Sequence, residues 1–123
     1  MEQGRVVVGR RILLVEDQIW VRQCIKRLLA LDEHTVTEAA NGVEGSELFS
    51  AGKFDLVITD YDMPKMNGDQ FAVRIRSVAP SQPIIMITAC AERLTGRENP
   101  VNAVLAKPFG VAELRQILAS LLS

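Results

Sequence analysis

Short, uniformly apolar runs alternate in this chain with longer segments in which apolar residues recur every three or four positions. The run over residues 12–15, Ile-Leu-Leu-Val, is typical of a strand covered on both faces of a sheet. Residues 35–39 alternate between polar and apolar instead, which predicts a half-exposed edge strand. The pattern as a whole predicts five strands, over residues 12–15, 35–39, 56–59, 84–87 and 101–106.

The segments between these runs have the spacing of amphipathic helices. The predicted helices cover residues 18–31, 43–50, 68–79 and 111–122. The first of them would be amphipathic, with Trp20 in the core or partly exposed; its apolar stripe consists of Trp20, Val21, Cys24, Ile25, Leu28 and Leu29. Residues 91–100 contain Gly96, Pro100 and a single large apolar residue, Leu94, so the helix expected there is short or irregular.

Strands and helices that alternate in this way form βαβ units. The prediction is therefore an α/β domain with a parallel sheet and helices on both faces. The 123 residues, 48% of them hydrophobic, suffice for one domain with a substantial core. Residues 1–10 are expected to form a loose N-terminal tail, and residues 11–123 the folded domain.

The charge balance argues against broad electrostatic binding to polyanions. With 14 basic and 15 acidic residues the formal net charge is -1, so neither direct binding to nucleic acid nor attachment to an anionic membrane is expected. No segment has the pattern of a signal peptide or a membrane span, which favours a cytoplasmic location and no membrane insertion. Cys24 and Cys90 lack metal-ligand spacing and are expected to be reduced.

Polar residues follow four of the predicted strands. They are Glu16-Asp17 after the first strand, Asp60 after the third, Thr88 after the fourth and Lys107-Pro108 after the fifth. The carboxyl ends of parallel strands meet at one edge of a sheet, where open α/β proteins bind their ligands. Gathered carboxylates repel one another unless a cation intervenes, and oxygen ligands without histidine or thiolate select a hard ion such as Mg²⁺. The pattern therefore predicts a site for Mg²⁺ and a phosphoryl group.

Each of these residues also has a simpler explanation. An aspartate before a helix is often an N-cap, and an aspartate after a strand often starts a turn. Lys107 would be an ordinary surface lysine and Thr88 an ordinary strand end. Four such residues at four strand ends nevertheless favour a shared site over four independent coincidences.

The motifs around these positions resemble the receiver domain of two-component response regulators. The resemblance extends from about Arg11 to Ser123. It rests on Glu16-Asp17, on Asp60 followed by Tyr61-Asp62-Met63-Pro64-Lys65-Met66-Asn67-Gly68, on Thr88-Ala89 and on Lys107-Pro108-Phe109. The fold that it implies is flavodoxin-like, a doubly wound five-stranded parallel sheet with strand order 2-1-3-4-5.

The resemblance implies a role for each matching residue. Asp60 is similar to the phosphoacceptor, a nucleophile that needs no base because an unperturbed aspartate is ionised at pH 7. Glu16 and Asp17 are similar to Mg²⁺ ligands, together with Asp60 and the backbone carbonyl of Asp62. Lys107 is similar to the lysine that binds a phosphoryl oxygen as a compact charge.

The remaining positions are expected to switch or modulate the reaction. Thr88 resembles the hydroxyl that binds the phosphoryl group and moves its loop inward. Ala89, being small, would leave a path for the donor imidazole, and Cys90 and Asp62 would flank that path and affect hydrolysis. In this family a cis peptide bond precedes the proline at the position of Pro108.

The implied partners are a sensor histidine kinase or a histidine phosphotransfer protein, and a downstream effector protein or domain. The domain would catalyse its own phosphorylation and dephosphorylation without being a turnover enzyme. Two positions depart from the family: Val104 replaces an aromatic residue that turns inward in many receivers, and the connection from Thr88 to Lys107 is short. The only histidine, His34, is expected to be solvated, and so is the charged run over residues 93–98.

Three alternatives were compared with this interpretation. A flavodoxin-like small-molecule binder would need glycines or donors after the first strand, where Glu16-Asp17 would repel a phosphate without metal. A Mg²⁺-dependent phosphatase would need a further general acid and a cap, for which no segment is large enough. A receiver-like interaction module that acts without phosphorylation remains the alternative, although intact Asp17, Asp60, Thr88 and Lys107 argue against it.

Overall fold

A computed structural model describes residues 6–122 of the chain. The strands are β1 (Arg11–Val15), β2 (Thr35–Ala39), β3 (Leu56–Asp60), β4 (Ile84–Thr88) and β5 (Ala103–Ala106). The helices are α1 (Ile19–Ala30), α2 (Gly42–Ala51), α3 (Gly68–Val78) and α4 (Val111–Leu122). Between β4 and β5 there is only a four-residue 3-10 helix, Ala91–Leu94, which confirms the prediction of a short or irregular helix.

The strands form one parallel sheet in the order β2-β1-β3-β4-β5, as the resemblance implies. Its register aligns the carboxyl ends of the strands: Val15 pairs with Thr59 and with Ala39, and Thr88 pairs with Ala106. The residues that follow these strand ends therefore share one edge of the sheet.

Two hydrophobic layers cover the sheet, one on each face. Successive residues of β1 point to opposite faces, so Ile12 and Leu14 join the layer that contains α1 and α4, whereas Leu13 and Val15 join the layer that contains α2 and α3. All four side chains are fully buried. This two-sided burial explains why the central strands have continuous apolar sequences.

The inward stripe predicted for α1 is narrower in the structure. Ile25 and Leu29 are buried, but Cys24 is exposed and Trp20 is 82% exposed, so the prediction was wrong for these two residues. Trp20 and Cys24, one turn apart on α1, instead line a groove with Pro108 and Phe109.

Residues 1–5 of the predicted N-terminal tail lie outside the described part, and some of the residues that follow contact the domain. Val7 is buried, and the N–H groups of Gly9 and Arg10 donate to Asp32 O and His34 Nδ1, each at 3.0 Å. His34 is only 7% exposed, so the expectation of a solvated histidine was wrong. The cause is the pairing of β1 with β2, which places the segments preceding the two strands side by side.

None of the helices within residues 6–122 combines the length and apolar character needed to cross a membrane. Both cysteines, Cys24 and Cys90, are free thiols.

Candidate functional site

The sheet edge brings together acidic side chains from two neighbouring strands. Glu16 and Asp17 directly follow β1, and Asp60 is the last residue of β3. One oxygen from each carboxylate lies within 4.8 Å of the others. Glu16 and Asp60 are buried, at 0% and 4% exposure, whereas Asp17 is exposed and keeps the cluster open to solvent.

Lys107 contacts two of these carboxylates. It follows β5, and its Nζ lies 2.9 Å from Asp60 Oδ1 and 3.0 Å from Glu16 Oε1. Burial acts to lower the pKa of Lys107, but its hydrogen bonds to Asp60 and Glu16 outweigh that effect, so the pKa is raised and the ammonium form is favoured. A fixed positive charge therefore faces the predicted phosphoacceptor.

The two buried carboxylates have raised pKa values. Burial is the main cause for Glu16, and the neighbouring charge of Asp60 adds to it. Burial is also the main cause that raises the pKa of Asp60. The hydrogen bond from Lys107 lowers this pKa, and the charges of Asp17 and Asp62 raise it further. Repulsion between the clustered carboxylates acts in the same direction as burial, and Lys107 acts against both.

Thr88 lies on the neighbouring strand end and is 2% exposed. Its hydroxyl oxygen accepts the backbone N–H of Cys90 at 3.1 Å, and a hydroxyl that accepts a hydrogen bond still has its own hydrogen to donate. The backbone N–H of Lys107 donates to Thr88 O at 2.8 Å, which ties the two residues together. Ala89 is exposed, and the peptide bond between Lys107 and Pro108 is cis, as the resemblance implies.

The loop after Asp60 folds back so that Gly68 packs against the end of β3. The N–H of Gly68 donates to Tyr61 O at 2.9 Å. A Cβ atom on Gly68 would lie 2.6 Å from the backbone oxygen of Asp60, so only glycine fits without a shift. Asn67 and Gln70 then form a capping box at the start of α3, which fixes the far end of the loop.

Sequence reasoning missed a cluster beside this loop. The guanidinium carbons of Arg93 and Arg97 lie 5.5 and 6.0 Å from the ring centre of Tyr61. Both arginines are exposed, as expected for the charged run over residues 93–98, but they cover an aromatic ring more than 30 positions earlier in the chain. The spacing of neighbouring residues carries no signal for such a contact.

The geometry suits a hard divalent cation. Glu16, Asp17 and Asp60 supply oxygen ligands alone, and the predicted fourth ligand, the carbonyl of Asp62, belongs to the same loop as Asp60. A partly solvated site with a few carboxylates and room for water is the usual protein environment for Mg²⁺.

Comparison with known proteins agrees with this arrangement. The family model described as the response regulator receiver domain matches residues 12–119. The response regulator MprA of Mycobacterium ulcerans (strain Agy99) is 33% identical over 115 residues, which cover 91% of this chain and 50% of that protein. The MprA protein of Mycobacterium avium (strain 104) is 31% identical over 115 residues, which again cover 91% of this chain and 50% of that protein. The chain therefore spans about half the length of the curated relatives it matches.

Two solved structures show the same fold. The receiver domain of the sensor histidine kinase PA1611 from Pseudomonas aeruginosa PAO1, which has a magnesium ion coordinated in its active-site cleft, has a TM-score of 0.84 and 34% identity, covering 94% of this chain and 98% of that one. The response regulator TrrA from Thermotoga maritima, in complex with Mg²⁺-BeF, has a TM-score of 0.85 and 32% identity, covering 92% and 99%.

Proposed function

Because the chain belongs to the response regulator receiver domain family, we propose that Asp60 accepts a phosphoryl group and that its phosphorylation controls a partner protein. The observation that carries the proposal is what surrounds Asp60. Its carboxylate clusters with two acidic neighbours, and the Lys107 ammonium lies 2.9 Å from it. This arrangement places a nucleophilic carboxylate beside two possible metal ligands and in contact with a cation.

In the proposed reaction an Asp60 oxygen attacks phosphorus. A P–O bond forms as the P–N bond to the donor imidazole breaks, and the leaving nitrogen keeps the bonding electron pair. Lys107 is placed to bind a phosphoryl oxygen, because its compact charge already contacts Asp60 Oδ1. The hydroxyl of Thr88 can donate to another phosphoryl oxygen while still accepting the N–H of Cys90.

Glu16, Asp17, Asp60 and the carbonyl of Asp62 are the residues that would hold Mg²⁺. The chemistry supplied by the bound ion is neutralisation of charge between an anionic acceptor and an anionic donor. The raised pKa of Glu16 and Asp60 supports this assignment, because crowded buried carboxylates are stabilised by a further cation.

The partners that we propose are a sensor histidine kinase or a histidine phosphotransfer protein as donor, and a downstream effector protein or domain as recipient. The domain would act in the cytoplasm. It would catalyse phosphorylation and dephosphorylation of its own aspartate without being a turnover enzyme.

The test is incubation with Mg²⁺ and acetyl phosphate, followed by intact mass measurement of the wild type and of the Asp60→Asn variant. A phosphoryl adduct that hydroxylamine removes is expected on the wild type and not on Asp60→Asn. The Asp62→Asn variant removes a carboxylate from the same loop but keeps the acceptor, so it should still be labelled.

Equal labelling of the wild type and Asp60→Asn would place the acceptor elsewhere. Binding of an effector that does not depend on labelling would favour the alternative of an interaction module. Loss of labelling in Asp62→Asn, with Asp60 intact, would contradict the expectation that the Asp62 side chain is not needed for the reaction.

A further inference from the structure

The turn that carries Glu16 and Asp17 connects the end of β1 to the start of α1. The sheet holds one side of it, because the N–H of Glu16 donates to Ala39 O of β2 at 3.0 Å. Within the turn, the N–H of Gln18 donates to Glu16 Oε2 at 3.2 Å. In the described part of the chain, Gln18 is the N-cap of α1 but makes no side-chain hydrogen bond to the first helical turn. The usual cap therefore does not fix the turn to the helix.

Arg22 supplies the contact between the helix and this turn. Its Nη1 donates to the backbone oxygen of Glu16 at 2.8 Å, and its side chain is only 14% exposed. A hydrogen bond from a charged donor is one of the stronger kinds. The peptide group that contains this oxygen is planar and also contains the N–H of Asp17. Arg22 therefore fixes the plane from which the backbone of Asp17 continues.

The guanidinium of Arg22 is itself anchored on β2. Its Nε pairs with Glu38 Oε1 at 3.1 Å. Glu38 is held in turn by two other side chains of α1, since Gln23 Nε2 donates to Oε1 at 2.7 Å and Lys26 Nζ donates to Oε2 at 2.8 Å. Arg22 thus links the end of β1 to the neighbouring strand through two separate nitrogen atoms.

This link matters most for Asp17 among the three clustered carboxylates. Glu16 and Asp60 are buried, and both contact the Lys107 ammonium. Asp17 is exposed, so packing restrains its side chain least and its position depends most on its backbone. A ligand that is already held in place loses less conformational freedom when the ion binds.

We propose that Arg22 is a positioning residue for the Mg²⁺ site. By holding the peptide group between Glu16 and Asp17, it keeps the Asp17 carboxylate within the acidic cluster. This inference rests on the function proposed above and adds to it a residue that acts through Asp17.

An effect of charge alone would have the opposite sign. Arg22 is positive, so its removal would strengthen the binding of a cation if only the Coulomb interaction mattered. Loss of positioning weakens binding instead. The direction of the change in Mg²⁺ affinity therefore separates the two explanations.

Lys26 offers a matched control. It lies one turn after Arg22 on α1, and its Nζ pairs with the same Glu38 carboxylate at 2.8 Å. Arg22→Met and Lys26→Met each remove one positive charge and one ion pair with Glu38, and each keeps an apolar stem. Only the first removes the hydrogen bond to Glu16 O.

The experiment measures the Kd for Mg²⁺ by isothermal titration calorimetry in the wild type and the two variants. Arg22→Met is expected to raise the Kd by about tenfold, the lower end of the range for groups that hold a metal ligand in place. Lys26→Met should bind Mg²⁺ as the wild type does. Labelling by acetyl phosphate should need a correspondingly higher Mg²⁺ concentration in Arg22→Met, with a maximal rate close to that of the wild type.

An unchanged or lower Kd in Arg22→Met would overturn the inference, even if urea unfolding without Mg²⁺ showed a loss of stability, because that pattern is the one expected of a purely structural residue. An equal rise of the Kd in Lys26→Met would overturn it as well. Both outcomes leave the proposed function intact. Absence of Mg²⁺ binding by the wild type would overturn both proposals, whereas absence of labelling alone would overturn only the proposed phosphoryl transfer.

If Arg22→Met does not fold, Arg22→Lys provides the test. Lysine keeps the charge but has one donor nitrogen where arginine uses two. The Kd for Mg²⁺ should then rise by roughly threefold, the loss expected for one ordinary hydrogen bond. A Kd equal to that of the wild type would overturn the inference.

Discussion

The Nζ atom of Lys107 lies 2.9 Å from Asp60 Oδ1, and the same ammonium group is 3.0 Å from Glu16 Oε1. Lys107 thus contacts one carboxylate at the end of β1 and one at the end of β3, although it follows the edge strand β5 itself. This geometry allows one lysine both to stabilise the buried carboxylates and to meet an incoming phosphoryl oxygen.

Replacement of Lys107 by methionine should slow phosphorylation of Asp60. The methionine keeps an apolar stem but removes the charge that faces the acceptor, and loss of one such preorganised donor typically costs about 100-fold or more in rate. Lys107→Arg should also be slow, because the planar guanidinium does not match the compact ammonium. The measurement is the time course of acetyl phosphate labelling by intact mass. The control is Lys53→Met, because Lys53 is an exposed lysine outside the site. A wild-type rate in Lys107→Met would contradict the role of Lys107 in phosphorylation.

Magnesium should stabilise the folded domain through the three carboxylates. When free Mg²⁺ reaches a hundred times its Kd, the free energy of unfolding should rise by about 2.7 kcal/mol. Asp17→Asn should require a much higher Mg²⁺ concentration for the same gain, because it removes one ligand of the cluster. Thermal unfolding across a Mg²⁺ titration provides the measurement, with Glu47→Gln on the exposed surface of α2 as control. A response in Asp17→Asn identical to that of the wild type would place the ion elsewhere.

Gly68→Ala should destabilise the domain and disturb the loop that carries the acceptor. The new methyl group would lie 2.6 Å from Asp60 O and 2.9 Å from Met86 Sδ, so the backbone must move. Overpacking of this kind costs about 1–3 kcal/mol, which urea unfolding can resolve. In Gly110→Ala the nearest atom is the flexible end of Glu113 at 3.2 Å, so a smaller loss is expected. Equal stability of Gly68→Ala and the wild type would refute the steric argument.

His34 should make stability depend on pH below neutrality. Burial lowers the pKa of its imidazole, with the Asp32 charge opposing and the Arg10 charge assisting, and Nδ1 accepts the N–H of Arg10, so the folded state favours the neutral ring. The unfolded chain takes up a proton near pH 6.5 that the folded chain resists. The contribution of His34 to the free energy of unfolding is therefore complete above that pH. It falls as the pH drops toward the folded pKa, by at most about 1.4 kcal/mol per pH unit.

The measurement for His34 is the free energy of unfolding between pH 7.5 and pH 5 in the wild type and in His34→Asn. Glu16 and Asp60 titrate in both proteins, so the difference between the two curves isolates the histidine. Because His34 is the only histidine, NMR titration of its ring in the folded wild type reports the pKa directly. A folded pKa at or above 6.5, or parallel curves, would show that burial does not perturb this group.

Most of the fold could be predicted because it depends on local patterns. Continuous apolar runs identified β1, β3 and β4, and the weak apolar content of residues 91–100 predicted the short 3-10 helix. The convergence of Glu16, Asp60 and Lys107 followed from a general rule, since parallel strands end at one edge. The stripe of α1 was predicted too wide because helical spacing identifies an apolar face without showing which of its residues the assembled fold buries.

The sequence by itself determined the order of strands and helices, the family motifs and the edge at which the acidic residues gather, because periodicity and motif order are properties of neighbouring positions. Only the tertiary structure decided that His34 is buried against Arg10, that Lys107 reaches Glu16 across 91 positions, and that Arg93 covers Tyr61. These contacts join segments that are distant in the chain. Their energies arise from burial and charge in the assembled fold, which local spacing does not encode.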